Sequence, residues 1–214
     1  MTQNASPVFS GSNSLKQYAL SREPVIGKNA QFMFFANLKV CKKSIAWDHL
    51  KNRAVMLREK NEKKYLSLFN RCFENIEKVF KFTVVRNPWD RVVSTFFYLQ
   101  QIRRYHYKID KKETFKNFVK TQLKEKGHKI NIHFHPQYLN THYNNIIYVD
   151  FVARFENLKE DWEKISRKIK VDKNLPHVNA SMHDHYTLYY DSDCINIISN
   201  IYKKDIETFE YSYD

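Results

Sequence analysis

The chain has 214 residues, of which 43% are hydrophobic and 15% aromatic, and this composition excludes a disordered polypeptide. Only 3 residues are glycine, which excludes a glycine-rich dinucleotide loop, a collagen-like repeat and a Gly/Ser linker. The 36 Lys and Arg residues outnumber the 23 Asp and Glu residues, and the net charge of +13 favours an anionic ligand: nucleic acid, a phosphorylated or sulfated molecule, or an acidic glycan.

The cysteines and the most apolar segments bear on location. Cys41, Cys72 and Cys194 show no CxxC spacing and are odd in number, which favours free thiols in a reducing compartment. Residues 1–14 lack the basic and apolar regions of a signal peptide, and the apolar run over 32–40 is too short to span a membrane. We therefore expect a cytoplasmic protein without a membrane span.

The first half of the chain is predicted to be an arm followed by strands and helices. Residues 1–29 are rich in Ser, Asn and Pro, and we expect them to form a flexible arm before a single domain over 30–214. Short apolar runs predict buried strands over 31–38 and 81–85. Apolar residues at three- and four-residue steps predict a helix over 65–76. Further helical patterns in this half cover 44–58 and 89–103.

The second half of the chain adds three helices and two strand pieces. The helical segments are 114–126, 157–168 and 192–209, with Asn157 as the expected N-cap of the second. The strand pieces are 146–149 and 152–155, whereas 128–145 and 176–190 show no regular period. Strands that alternate with helices predict an α/β domain with a mainly parallel sheet, in which ligands bind beyond the carboxyl ends of the strands.

The first candidate site is the loop over residues 39–44, between a predicted strand and a predicted helix. Such a loop presents backbone N–H groups and the positive end of the helix dipole to an anion. Its lysines add positive charge and Ser44 adds a hydroxyl at the helix start. The GxxxxGK[ST] pattern is missing, which disfavours a P-loop nucleotide kinase. From position alone, a solvated lysine cluster is an equal alternative.

The second candidate site is Arg86-Asn-Pro-Trp-Asp-Arg-Val-Val-Ser94, which begins where a predicted strand ends. Ser94 follows Arg86 by eight residues and is expected to share one anion with it. The planar guanidinium of arginine donates two parallel charge-assisted hydrogen bonds to a phosphate. Arg91 is expected to reach the same end of the helix or to pair with Asp90. Spacing alone leaves open an ordinary helix start with exposed arginines.

Residues 86–94 resemble the 3′-phosphate-binding motif of sulfotransferases that use 3′-phosphoadenosine 5′-phosphosulfate (PAPS). The resemblance is narrowest to carbohydrate sulfotransferases of the chondroitin and dermatan type and their bacterial relatives. Three other stretches agree in order and spacing: 39–44 with the 5′-phosphosulfate loop, 133–137 with the H-x-x-P-Q element, and 154–158 together with 175–181 with later blocks. The resemblance implies a P-loop-NTPase-like sulfotransferase fold, with a mainly parallel central sheet flanked by helices.

The resemblance also implies transfer of a sulfuryl group from PAPS to a hydroxyl acceptor, a carbohydrate in this branch of the family. It assigns Arg86 and Ser94 to the 3′-phosphate and Lys39 and Ser44 to the 5′-phosphosulfate. Lys39 would also act in catalysis by neutralising the leaving oxygen. The loop differs from the family pattern in Cys41, Lys42 and Lys43, and the two lysines would add charge beside the cofactor. Arg154 and Asn179 are further candidates on the cofactor side.

Several histidines lie between residues 128 and 142, and one of them is the expected general base. His133 occupies the position of the family's histidine before Pro-Gln, and histidine commonly accepts a proton at neutral pH. His135 is the alternative base. We expect no metal, because the sequence has neither an HExxH motif nor a cysteine pair. Nucleic acid is not the expected partner, but a basic RNA-binding module and a nucleotide-binding relative without activity stay open as alternatives.

Overall fold

The computed structural model describes residues 13–22, 24–37, 45, 54–55, 62–101, 107–175 and 183–213. The chain forms two compact units, which we call the sheet unit and the helical unit. The sheet unit takes its described residues from 1–37, 41–85 and 140–178. The helical unit takes its described residues from 86–139 and 179–214.

The elements alternate along the described chain. The strands are β1 Val25–Gly27, β2 Phe32–Phe35, β3 Ala54–Val55, β4 Phe80–Val85, β5 His142–Tyr143, β6 Ile146–Ile147 and β7 Phe151–Arg154. The α-helices are α1 Asn13–Ser21, α2 Glu62–Glu74, α3 Pro88–Gln101, α4 Phe115–Phe118, α5 Lys124–Lys126, α6 Leu158–Ile169, α7 Ser192–Ile201 and α8 Lys203–Phe209. A π-helical turn, Val119–Leu123, joins α4 to α5.

The sheet unit is built on a five-stranded sheet in the order β3-β1-β2-β4-β7. β2 and β4 run parallel, as do β4 and β7, whereas β1 is antiparallel to both of its neighbours. β2 is buried along its whole length and β4 along nearly all of it, because their Phe and Val side chains pack on both faces. The predicted α/β class with a mostly parallel central sheet is confirmed.

The parallel pairing brings the carboxyl ends of β2, β4 and β7 to one edge of this sheet. Phe35 pairs with Thr83 across β2 and β4, and Val85 pairs with Arg154 across β4 and β7. Residues that follow these strands therefore begin at the edge where parallel sheets bind their ligands.

The helical unit packs around α3. Its buried face carries Trp89, Val92, Val93, Phe96 and Leu99. Aromatic rings from α4, from the segment after α5 and from the turn before α7 complete this core, and they include Phe115, Phe118, Phe134 and Tyr190. No helix among the described residues is long and apolar enough to cross a membrane.

Several local predictions differ from the structure. Ala54–Val55 is a strand within the segment 44–58 that was expected to be helical, and most of that segment lies outside the described residues. Ile146–Ile147 pairs with β5 in a separate hairpin rather than joining the main sheet. The predicted helix 192–209 is divided at Tyr202, where the backbone leaves helical geometry.

Two further differences concern helix starts and the amino-terminal segment. Asn157 makes no side-chain capping bond to α6. Within the segment 1–29, for which we expected a flexible arm, Asn13–Ser21 is a helix and β1 pairs with β2. The boundary between an arm and a domain over 30–214 stays a prediction.

Candidate active site

The connection from β4 to α3 is fixed by its own sequence. Arg86 and Asn87 leave the strand, and α3 begins at Pro88, whose fixed φ and missing N–H suit the first helical position. The Asn87 Oδ1 accepts a hydrogen bond from the Trp89 N–H at 3.0 Å, which caps the helix. The Asn87 amide nitrogen donates to the Ser212 carbonyl at 2.8 Å. This connection therefore has a defined geometry in which Arg86 is the first residue after the strand.

The Arg86 guanidinium is held by Asp90, one helical turn further on. Nε donates to Oδ2 at 2.7 Å and Nη2 donates to Oδ1 at 2.8 Å. The two side chains are only 10% and 18% exposed, so little water screens the pair. Asp90 thus pairs with Arg86. The pairing of Asp90 with Arg91, which the sequence left open, is not formed.

A polar stripe runs along one face of α3. Arg91, Ser94, Thr95 and Tyr98 recur at steps of three and four residues, which places them on one side of the helix. Arg91, Ser94 and Thr95 are each 2% exposed or less. The predicted phosphate ligand Ser94 therefore lies inside the helical unit, among polar neighbours on its own helix.

Arg91 carries a buried charge with incomplete hydrogen bonding. Its Nη1 donates to the His133 carbonyl at 3.1 Å, and its guanidinium lies 5.2 Å from the centre of the Tyr202 ring. Among the described residues, no acceptor meets the Arg91 Nε or Nη2, and the Thr95 hydroxyl also has no partner. Buried donors of this kind mark a place where a bound molecule can complete the bonding.

His133, the predicted base, lies in a short 3₁₀ turn over Ile132–Phe134 and is buried. The Asn131 Oδ1 accepts from the His133 backbone N–H at 3.0 Å and lies 2.7 Å from Nδ1. Because an amide oxygen only accepts, Nδ1 must carry the proton, and Nε2 is then the basic nitrogen. The Tyr98 ring lies 5.4 Å from the imidazole. His135, the alternative base, is exposed, and its ring lies 6.2 Å from that of His128.

Gln137, which ends the H-x-x-P-Q element, makes a contact that the sequence did not reveal. Its Oε1 accepts from the Arg86 N–H at 2.9 Å and its Nε2 donates to the Arg86 carbonyl at 2.8 Å. Gln137 is fully buried. Gln137 therefore binds the backbone of Arg86, the residue predicted to bind the 3′-phosphate.

Asn37, just beyond β2, is another residue that sequence reasoning missed. It is 3% exposed and its Nδ2 donates to the Val84 carbonyl at 2.9 Å and to the Thr83 hydroxyl at 3.2 Å. Its Oδ1 accepts from Asn140 at 2.8 Å. This network fixes the last described residue before the predicted phosphosulfate loop, and an isolated Asn in an apolar run gave only a weak signal for it.

Of the remaining predicted ligands, some lie within the described residues and others outside them. Arg154 ends β7 beside Val85, and its backbone N–H donates to the Asp161 carboxylate at 2.9 Å. Lys39, Lys42, Lys43, Ser44 and Asn179 lie outside the described residues. Within the described part, no three His, Cys, Asp or Glu side chains come together as a metal site needs.

An open groove of about 790 Å³ lies in the helical unit, lined by Tyr107 and residues 124–130. Lys124, Lys126 and Lys129 contribute three positive charges to it, against one negative charge from Glu125. Burial and the neighbouring Lys129 lower the pKa of His128, which is therefore neutral at physiological pH. The groove is thus a basic surface whose lining segment ends shortly before His133 in the chain.

Comparison with known proteins identifies the family to which this chain is related. Residues 8–212 match the sulfotransferase family, which is nearly the whole sequence. The chain belongs to the sulfotransferase family. An uncharacterized protein of Archaeoglobus fulgidus is 31% identical over 106 residues, covering 49% of this chain and 80% of that protein. No solved structure matches the chain.

Membership of the sulfotransferase family assigns the general reaction. Sulfotransferases transfer a sulfuryl group from a donor to an acceptor, so the chain belongs to a family of transferases. The predicted relationship to sulfotransferases is confirmed.

Proposed function

We propose that the protein transfers a sulfuryl group from PAPS to a hydroxyl of a carbohydrate. This proposal rests on the burial of two residues in the segment that follows β4. Arg86 is the first residue after β4, Ser94 lies on the helix α3 that follows, and both are buried. A guanidinium and a hydroxyl form a suitable pair of donors for a phosphate.

The donor nucleotide would bind through its 3′-phosphate to Arg86 and Ser94. The Arg86 fork is already oriented by Asp90, so little side-chain freedom is lost when an anion binds. Buried Arg91, on the same helix face as Ser94, adds a second positive charge to this part of the helical unit. Lys39 and Ser44, with Lys42 and Lys43, would hold the 5′-phosphosulfate by charge and hydrogen bonds.

The reaction would be an in-line displacement at sulfur. The acceptor hydroxyl oxygen attacks the sulfur atom, a new S–O bond forms, and the bond from sulfur to the 5′-phosphate oxygen breaks. The acceptor proton passes to His133 Nε2, the basic nitrogen of the tautomer that Asn131 fixes. Lys39 would neutralise the charge that grows on the leaving oxygen, and 3′-phosphoadenosine 5′-phosphate (PAP) is released.

The acceptor is proposed to be an acidic glycan because of charge. The whole chain carries a net charge of +13, and the groove lined by residues 124–130 has three lysines and one glutamate. A surface of this kind attracts a polyanion, and the attraction weakens as salt rises. Arg154 and Asn179 are proposed as further residues on the nucleotide side.

Sulfur-35-labelled PAPS, incubated with a panel of acceptors, tests this function. The panel contains desulfated chondroitin, dermatan and heparan chains, a neutral glycan, a phenol and a sample without acceptor. We expect label in at least one acidic glycan, with PAP released in equal amount and with less transfer at high salt. Transfer to the phenol alone would contradict the carbohydrate acceptor, and absence of both transfer and nucleotide binding would contradict the activity.

A further inference from the structure

The side chain of Gln137 binds both backbone polar groups of Arg86. In a sheet, the N–H and C=O of one residue normally pair with the backbone of a neighbouring strand. At Arg86 these two groups pair instead with the Gln137 carboxamide, at 2.9 and 2.8 Å. The peptide groups on both sides of the Arg86 Cα are therefore fixed by one side chain.

Gln137 is itself held by a buried carboxylate from α8. Asp205 is fully buried, and its Oδ2 accepts from the Gln137 backbone N–H at 2.8 Å. Its Oδ1 accepts from the Tyr138 N–H at 2.9 Å. Burial raises the pKa of Asp205, while the charge of Arg91 and these two N–H groups oppose that rise. One carboxylate thus fixes the turn that carries the Gln137 side chain.

The start of the segment 133–138, which carries Gln137 near its end, is also held by hydrogen bonds. The Tyr202 hydroxyl donates to the Phe134 carbonyl at 2.8 Å, and Arg91 donates to the His133 carbonyl at 3.1 Å. The segment 133–138 is therefore bonded near both of its ends. Arg86 and the proposed base His133 are connected through it by buried hydrogen bonds.

We propose that Gln137 is a positioning residue that holds Arg86 in the geometry required by the 3′-phosphate, and that Asp205 holds Gln137 in turn. This inference rests on the proposed function. Asp90 orients the guanidinium of Arg86 and Gln137 fixes its backbone, so together they define where the arginine fork lies. Without the Gln137 bonds, the Arg86 peptide has to find other partners or leave two buried polar groups unsatisfied.

Two substitutions at Gln137 and one matched control test the inference. Gln137→Met keeps the length of the side chain and removes both bonds to Arg86. Gln137→Glu keeps the acceptor for the Arg86 N–H but removes the donor to its carbonyl. The control is Gln100→Met on α3, because the Gln100 amide likewise makes two bonds to backbone groups, although both are donated, to the carbonyls of Asp110 and Glu113 at 2.9 Å.

The readout is the affinity of each folded protein for PAP and for AMP, which lacks the 3′-phosphate. We expect both Gln137 variants to bind PAP about tenfold to a hundredfold more weakly, with the AMP affinity changed by about twofold or less. Gln100→Met should keep the wild-type preference for PAP. Thermal unfolding, followed by circular dichroism, establishes that each variant is folded at the temperature of the titration.

Each other outcome overturns the inference. A wild-type protein without preference for PAP overturns the proposed function and this inference with it. If the folded Gln137 variants keep the wild-type preference for PAP over AMP, the positioning role is overturned. It is also overturned if Gln100→Met loses as much PAP affinity as they do. Failure of both Gln137 variants to fold, with Gln100→Met folded, assigns Gln137 to stability and has the same consequence.

Discussion

The guanidinium of Arg86 and the carboxylate of Asp90 form a bidentate ion pair, with N–O distances of 2.7 and 2.8 Å. The pair joins the first residue after β4 to the first turn of α3. An arginine held in this way loses little rotamer freedom when it binds an anion. The pair therefore orients the side chain that we propose as a ligand of the 3′-phosphate.

Replacement of Arg86 by alanine should weaken the binding of PAP far more than the binding of AMP. The 3′-phosphate distinguishes the two nucleotides, and loss of a charge-assisted bidentate contact costs about 1.5–3 kcal/mol, roughly a tenfold to hundredfold loss of affinity. Isothermal titration of both nucleotides measures this difference. Arg71→Ala, an exposed arginine on α2, is the control and should leave both affinities unchanged. Equal losses for PAP and AMP in Arg86→Ala would make Arg86 structural.

Removal of the His133 imidazole should change the pH dependence of the reaction and leave nucleotide binding intact. If Nε2 takes the acceptor proton, the wild-type rate rises with pH on the acidic limb, and His133→Ala should flatten that limb. The measurement is the rate of PAP release between pH 5 and 8, the range in which histidines usually titrate. His135→Ala is the matched control and should keep the wild-type profile. An unchanged profile in His133→Ala would remove His133 from the mechanism.

Lys39 should act mainly on the chemical step. Charge on the leaving oxygen appears only as the S–O bond breaks, so its neutralisation lowers the barrier more than it improves binding. We expect Lys39→Ala to lose about 10²–10³ in turnover, with a smaller loss of PAPS affinity. Single-turnover rates and nucleotide titrations separate the two effects. Normal turnover in this variant would transfer the role to Lys42 or Lys43.

Asp191, the N-cap of α7, should stabilise the fold in a pH-dependent way. The Cys194 N–H and Lys120 lower the pKa of Asp191 from 3.8 to about 2. Because the folded state prefers the charged carboxylate, this stabilisation is complete above the unfolded pKa of 3.8 and is lost as pH falls towards about 2. Asn also caps helices, so Asp191→Asn removes the charge while keeping the cap.

Urea unfolding between pH 2 and 5 tests the role of this charge. The wild-type midpoint should fall over the window that ends near the Asp191 pKa of about 2, and the midpoint of Asp191→Asn should fall less over the same window. The neighbouring exposed Asp193, replaced by Asn, serves as the control for removal of a negative charge near Lys120. Parallel pH curves for wild type and Asp191→Asn would contradict the assignment.

The parts of the fold that could be predicted are those with a strong local pattern. β2 and β4 are runs of buried Phe and Val, and α2 has apolar residues on one face. β1 and β3 have three and two residues, too few for a local pattern to reveal. They form strands because β1 pairs with nearby β2 and with the more distant β3. The break at Tyr202 likewise divides a continuous helical pattern.

The candidate site divides in the same manner. Arg86 and Ser94 were proposed because they lie within one short motif, and His133 because it begins another. The contact of Gln137 with Arg86 joins residues 51 apart in the chain, and that with Asp205 joins residues 68 apart. Such pairings follow from tertiary packing rather than spacing, so the sequence indicated the motif without the contacts of its glutamine.

Calorimetric titration of the wild-type protein with PAP and with AMP tests the central claim most directly. The two nucleotides differ only in the 3′-phosphate, so the comparison isolates the group for which Arg86 and Ser94 are proposed. We expect PAP to bind about tenfold to a hundredfold more tightly than AMP, as one charge-assisted phosphate site would provide. Equal or negligible affinity for the two nucleotides would contradict the assignment of a PAPS-dependent sulfotransferase.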